Sequence, residues 1–322
     1  MKKLISLLLI ISLSVFALFS CGNDDTKDEA TSIRVGYMSG PTGMGMAKLI
    51  NDNGGTAGNE TYSFKQYDNT TLAKADLLVG NIDVICLPTN EAAVYFNTED
   101  DESTVLAINT LNTLYVVSNG NYTISKLSDL EGKTIYTCKN GTPKAIIEYL
   151  LSEAKINATV SYEVDGKTIR TPKDLGAQIA AGKVDIAVAP EPIVTSSLLQ
   201  NSAYSVVIDI GDEWIKHSNY GIAMGCIVAN KSFVKKNKNL VNNFLTDYEA
   251  SIDFISDSNN IDLAAKYVKE SGIMAAEPAA KRALNNLGDS IAFVKGAKMK
   301  SMLEAFYKAI GVNLPDKDFY YE

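Results

Sequence analysis

Two turns in this sequence carry the residue types that hold a small solute by its polar atoms. The first is Ser39-Gly40-Pro41-Thr42-Gly43, and the second is Lys139-Asn140-Gly141-Thr142-Pro143. Each follows a short apolar run and opens a stretch with helical spacing. Backbone N–H groups at a helix start attract anions and polar ligand atoms. Glycine lets a ligand approach the backbone closely, and the Ser39 and Thr42 hydroxyls add donors. The competing reading is a tight strand-to-helix turn that binds nothing. A phosphate-binding loop across Gly40 and Gly45 is excluded, because Met46 stands where that motif requires lysine. A dinucleotide fingerprint fails too, since Gly43-Met44-Gly45 is not followed by glycine three residues later.

Two further segments end apolar runs and so belong beside these turns: Pro88-Thr89-Asn90 and Pro190-Glu191-Pro192. Thr89 and Asn90 can contact a ligand or cap the helix that follows. Glu191, between two prolines, reads as a ligand-contacting carboxylate, an inter-lobe latch or a solvated surface residue. Tyr37, Tyr115 and Tyr220 lie near loop ends or crossings, where each can stack on a planar solute or fill the core. The arginines are Arg34, Arg170 and Arg282. None stands where a bidentate clamp on a carboxylate or sulfonate is expected, the geometry for which arginine is preferred. The ligand is therefore expected to be either a small anion, sulfonate- or nitrate-like, held by loop N–H groups, or a neutral or aromatic heterocycle of pyrimidine-like kind.

Catalysis finds little support. An enzyme needs a nucleophile with a base, paired carboxylates or a metal, and His217, in a polar stretch, is the only histidine. Apart from Cys21, the cysteines are Cys86, Cys138 and Cys226, each inside an apolar run and none at metal-ligand spacing. They are expected to serve as small buried hydrophobes. No metal, cofactor or catalytic residue is assigned. A net charge of -8 argues against a nucleic-acid partner.

Positioning these turns is the task of a repeated unit. Gly80-Asn81-Ile82-Asp83-Val84-Ile85-Cys86-Leu87-Pro88 returns as Gly182-Lys183-Val184-Asp185-Ile186-Ala187-Val188-Ala189-Pro190. Upstream of each copy, another expected strand (33–37 and 134–138) runs into its glycine-containing turn. Strand-like and helix-like segments alternate, which argues α/β architecture. Strands are expected at 32–38, 63–67, 82–87, 104–109, 113–117, 134–137, 159–164, 185–189, 205–210 and 220–229. Helices are expected at 44–51, 71–79, 90–96, 143–154 and 172–181, followed by a helical tail at 239–257, 261–271, 278–287 and 298–310. Such sheets bind ligands at the carboxyl ends of their strands, so two similar halves imply two lobes facing one cleft. The expected first lobe is discontinuous, 32–115 plus 226–322, and the second is 116–225, joined by two crossings that act as a hinge.

The N-terminus reads as an export signal. Lys2 and Lys3 precede an uncharged apolar run over 4–19, too short for a spanning helix of about 20 apolar residues. Residues 1–20 are the expected signal peptide, and 21–31 a polar, acidic tether. Leu18-Phe19-Ser20-Cys21 resembles the bacterial lipobox, whose cysteine is lipidated and becomes the mature N-terminus. The alternative is ordinary secretion with a coincidental cysteine.

Arg34-Val35-Gly36-Tyr37 leading into Gly40-Pro41-Thr42-Gly43, the two Gly-x-[Ile/Val]-Asp copies, Asp129-Leu130-Glu131-Gly132-Lys133-Thr134-Ile135 and Ala189-Pro190-Glu191-Pro192 together resemble one family. It is that of the substrate-binding lipoproteins of ABC importers, in the nitrate/sulfonate/taurine group with its thiamine-precursor-binding relatives. The resemblance runs over most of 32–229. It implies a two-lobed, type-II periplasmic-binding fold, each lobe a mixed sheet flanked by helices. It also implies capture of a small solute and delivery to a membrane permease, by a monomer that touches the membrane only through its lipid. A non-transporting sensor or surface adhesin on the same fold is the alternative.

Overall fold

Alternating apolar runs and helical periods give the strands β1 (Ile33–Met38), β2 (Tyr62–Tyr67), β3 (Val84–Pro88), β4 (Ser103–Leu111), β5 (Leu114–Ser118), β6 (Thr134–Tyr136), β7 (Thr159–Ser161), β8 (Glu163–Val164), β9 (Lys167–Thr168), β10 (Ile186–Pro190), β11 (Ser205–Asp209), β12 (Ala223–Asn230) and β13 (Ile291–Val294). This is a computed structural model, and it describes residues 30–98, 103–139 and 142–321. The expected signal peptide, the lipidation site Cys21, and Asn140 and Gly141 lie outside the described residues.

The strands form two large sheets and a small hairpin. The first sheet has the order β13-β4-β12-β3-β1-β2, and the second β11-β5-β10-β6-β7. In the first, β1 runs parallel to β2 and β3, while β12 is antiparallel to β3 and β4. In the second, β6 runs parallel to β7 and β10, while β5 is antiparallel to β10 and β11. The two patterns superimpose strand for strand, with β13 as an addition on the edge of the first. The repeated sequence segments are β3 and β10, the third strand of each pattern. In each sheet the antiparallel member between them and the next strand, β12 or β5, is the one the chain enters on crossing from the other sheet.

The crossings pass through Asn112–Thr113 and through residues 215–222. Asn112 ties them together: its N–H donates to the Ile222 carbonyl at 3.1 Å, and its side-chain oxygen accepts from the Ile222 N–H at 2.8 Å. Asn112 adopts a positive φ of 45°, which this short polar residue tolerates. Strands β5 and β12 each lie whole in one sheet, so the crossings fall slightly N-terminal of the expected cuts at 115/116 and 225/226.

Other segments depart from expectation, among them the helices Ile193–Gln200, Ile210–Trp214 and Lys231–Lys236, where none was expected. The expected strand at 159–164 is split, and its second half forms the β8–β9 hairpin around Asp165-Gly166, both at positive φ. The tail is not purely helical, because β13 pairs with β4. The expected helix at 44–51 is two short helices, Pro41–Met44 and Ala47–Asp52. Apolar packing covers both sheets. One core holds Ile33, Val35, Phe244, Ala283 and Leu284 in the first lobe, another Val117, Leu175 and Ala189 in the second. A third runs through both lobes, from Leu87 and Phe306 to Ile147 and Trp214.

Candidate functional site

The carboxyl ends of β1 and β3 and those of β6 and β10 each feed a helix start, and the two pairs face each other. In the first lobe, β1 ends at the Ser39–Gly43 turn and β3 at Thr89, the first residue of the helix Thr89–Thr98. In the second, β6 leads toward Thr142, which opens Thr142–Glu153, and β10 leads to Ile193–Gln200. The side chains meet across the gap: the Thr142 hydroxyl donates to the Asn90 side-chain oxygen at 2.7 Å. A Cβ placed on Gly40 would stand 3.6 Å from the Pro192 ring. Residues from all four strand ends therefore come together where the two lobes meet.

Within the first turn each residue has a defined job. Ser39 is exposed, and its hydroxyl accepts from the Gln66 amide at 2.9 Å. Gly40 sits at φ 96°, ψ -162°, a region essentially restricted to glycine, and its carbonyl starts the helix by accepting from the Gly43 and Met44 N–H groups. A side chain on Gly43 would collide with the Met38 carbonyl at 2.2 Å. The Pro41 and Thr42 carbonyls are pinned from below by the Thr110 hydroxyl (3.3 Å) and the Asn109 amide (2.9 Å). Asn109 is fully buried and also donates to the Tyr248 hydroxyl at 3.0 Å, which lies 3.6 Å from the Cys86 sulfur. Sequence reasoning missed this polar floor; a single buried asparagine inside a strand run was its one signal.

Not every expected contact presents itself to the cleft. Thr89 is buried, its hydroxyl donating to the Ala223 carbonyl and its own carbonyl accepting from Tyr307 at 3.0 Å. Its polar atoms are engaged by the fold. Tyr220 is half-buried on the return crossing and packs against the shared core. Tyr37 is a buried residue of β1, donating to the Ser271 carbonyl at 2.8 Å, and burial pushes its phenol up to about 12.

Glu191 is 1% exposed. Its carboxylate accepts from the Thr195 N–H (3.1 Å), the Thr195 hydroxyl (2.9 Å) and the Asn286 amide (2.8 Å). Burial raises its pKa, an effect offset in part by those hydrogen bonds and by nearby Arg282. Asn286 belongs to the tail helix Glu277–Leu287 and was not anticipated from sequence, which gives no local sign that a tail residue returns to the second lobe.

The remaining titratable candidates have structural surroundings. Arg34 grips Asp83 through two guanidinium contacts, at 2.6 and 3.0 Å. Cys86, Cys138 and Cys226 are buried free thiols, and burial raises the pKa of all three. His217 is exposed. Among the described residues no group of His, Cys, Asp or Glu is placed to hold a metal, and no helix is long and apolar enough to cross a membrane.

Residues 103–259, from β4 through the whole of the long tail helix Lys238–Ser256, match the model of the family described as NMT1/THI5 like. Comparison with curated proteins gives no match. Among solved structures, an ABC transporter protein from Parabacteroides distasonis aligns with 91% of this chain and 99% of its own, at 21% identity and a TM-score of 0.69. The periplasmic aliphatic sulphonate-binding protein SsuA from Escherichia coli covers 88% and 89%, at 17% identity and a TM-score of 0.66. The periplasmic nitrate-binding protein NrtA from Synechocystis covers 87% and 81%, at 12% identity and a TM-score of 0.63. The chain thus has the two-lobed, type-II periplasmic-binding fold of these proteins and carries the NMT1/THI5-like pattern across its second lobe and both crossings.

Proposed function

We propose that this protein is an extracytoplasmic solute-binding lipoprotein. It captures a small molecule between its lobes and hands it to the permease of an ABC importer, without catalysing a reaction on it. The observation that carries this reading is the meeting of duplicated strand-end turns from two sheets, with Asn90 and Thr142 in direct contact at 2.7 Å. A shared fold alone does not fix function, whereas a cleft flanked by helix starts from both lobes has a specific use. Those starts favour acceptor groups on the solute, and the buried carboxylate of Glu191 already has its donors. Both features support a small anion, or a neutral heterocycle rich in acceptors, over a cation.

Attachment through a lipidated Cys21 completes the reading, with the protein acting as a monomer outside the cytoplasm. The deciding experiment is native mass spectrometry of the full chain as purified, followed by calorimetry with whatever compound is released. A discrete small mass that rebinds one-to-one supports capture. Purification without any adduct, together with no heat from sulfonates, nitrate or pyrimidines, counts against it. A sensor on the same fold would bind equally but would fail to restore uptake in cells lacking the gene.

A further inference from the structure

We infer that Asn286 is a latch that holds the two lobes together beside the hinge and so sets how far the empty protein opens. This rests on the reading that a solute is captured between the lobes. The helix that carries Asn286 belongs to the first lobe, since its Ala280, Ala283, Leu284 and Leu287 pack in that lobe's core. Its side chain, however, bonds to the second lobe. Its side-chain amide donates to Glu191 at 2.8 Å and to the Thr195 hydroxyl at 3.0 Å, and its main-chain carbonyl accepts from the Tyr115 hydroxyl at 3.0 Å. One residue thus grips β5, the end of β10 and the helix Ile193–Gln200.

The latch is beside the hinge. The Glu191 N–H donates to the carbonyl of Thr113, one of the two residues of the first crossing, at 2.9 Å. Asn286 therefore acts on lobe closure and needs no contact with a solute. The chemistry suits a reversible bond. A neutral amide satisfies a buried carboxylate without adding a charge, and opening leaves Glu191 with both Thr195 donors. A hydrogen bond to a charged acceptor corresponds to about a ten- to hundredfold change in an equilibrium constant, which is the expected shift in the closed-to-open ratio when it is removed. A solute that binds the closed form loses apparent affinity in proportion.

The protein carries its own reporter. Trp214, the single tryptophan, is packed between Tyr149 of the second lobe (5.1 Å between ring centroids) and Phe306 of the first (5.9 Å). It is 1% exposed, and its indole N–H has no partner among the described residues. Parting the lobes brings this ring into water and shifts its emission to the red.

The test compares the full-length, ligand-free wild type with N286A, N286D and the exchange N286D combined with E191Q, by small-angle X-ray scattering and Trp214 emission. N286A should enlarge the radius of gyration and red-shift the emission. N286D should do so further, because two carboxylates then face each other. The double exchange, which restores one amide and one carboxylate in swapped positions, should return both readouts toward wild type. The inference is overturned if folded N286A and N286D match the wild type, or if the exchange fails to reverse N286D. A drop in melting temperature with unchanged scattering would assign Asn286 a purely structural role and would equally overturn it. None of these readouts needs a solute, so they fail or succeed apart from the mass-spectrometric test of capture.

Discussion

Gly40 shows how one residue type is fixed by backbone geometry as well as by nearness to a ligand. Its φ of 96° and ψ of -162° lie where side chains are strongly disfavoured. Gly40→Ala should lower unfolding free energy by about 1–3 kcal/mol, read from urea melts. It should also weaken binding of the co-purified compound, because the turn it opens is the one pinned by Asn109 and Thr110. Glu191 makes a second residue-scale prediction. Burial raises its pKa, so the folded protein holds this proton more tightly than the unfolded chain does. Its contribution to stability is then greatest below the unfolded carboxyl value and declines as pH rises through the raised one. Glu191→Gln should flatten that part of the pH–stability curve, measured by thermal melts from acid to neutral pH. An unchanged curve would mean that Glu191 titrates as an ordinary exposed carboxylate.

At the scale of elements, the repeated strands reuse one device. Asp83, just before β3, accepts from the Arg34 backbone N–H at 2.8 Å as well as from its guanidinium. Asp185, just before β10, accepts from the side-chain amides of Asn119 (2.6 Å) and Asn121 (2.8 Å). In both copies the carboxylate ties a strand's start to its surroundings, at the end of the sheet away from the cleft. Asp83→Ala should therefore cost about 1 kcal/mol, the net worth of hydrogen bonds to the partly exposed Arg34. Affinity for the co-purified compound should remain at the wild-type value, measured by calorimetry on the folded fraction. Loss of affinity without loss of stability would mean that these aspartates serve the ligand.

The whole molecule is a pair of similar sheets joined by two crossings and clasped by tail residues of the first lobe. Such an architecture closes by hinge bending. Adding the true solute should leave the radius of gyration at or below its ligand-free value and raise the melting temperature with solute concentration, as mass action requires for a ligand of the native state. A scattering profile that expands on saturation would contradict closure. Anchoring is tested on cells: Cys21→Ala should release the protein from the membrane fraction, since a lipid on that residue is the proposed attachment. Retention of the variant at the membrane would point to another mode of attachment.

Local chemistry made much of this legible in the chain itself. Periodicity and turn residues located nearly all the long elements of both sheets, because apolar spacing and helix stops are local properties. The repeated Gly-x-[Ile/Val]-Asp segments foretold two equivalent halves, and they occupy the same place in both sheets. Short elements escaped: the β8–β9 hairpin, β13 and the helices Ile193–Gln200, Ile210–Trp214 and Lys231–Lys236 are too brief to set a clear period, and β13 pairs with the edge that β4 offers. What the chain could not disclose was which distant residues would meet. Asn90 and Thr142 were read as members of one cleft, but their direct contact depends on how far the lobes close. Thr89 looked like a contact residue, yet its hydroxyl serves a carbonyl of β12, 134 residues away. Asn286 carried no mark in sequence at all. Its role arises because one tail helix, Glu277–Leu287, packs on one lobe and ends against the other, and such pairings are set by three-dimensional packing.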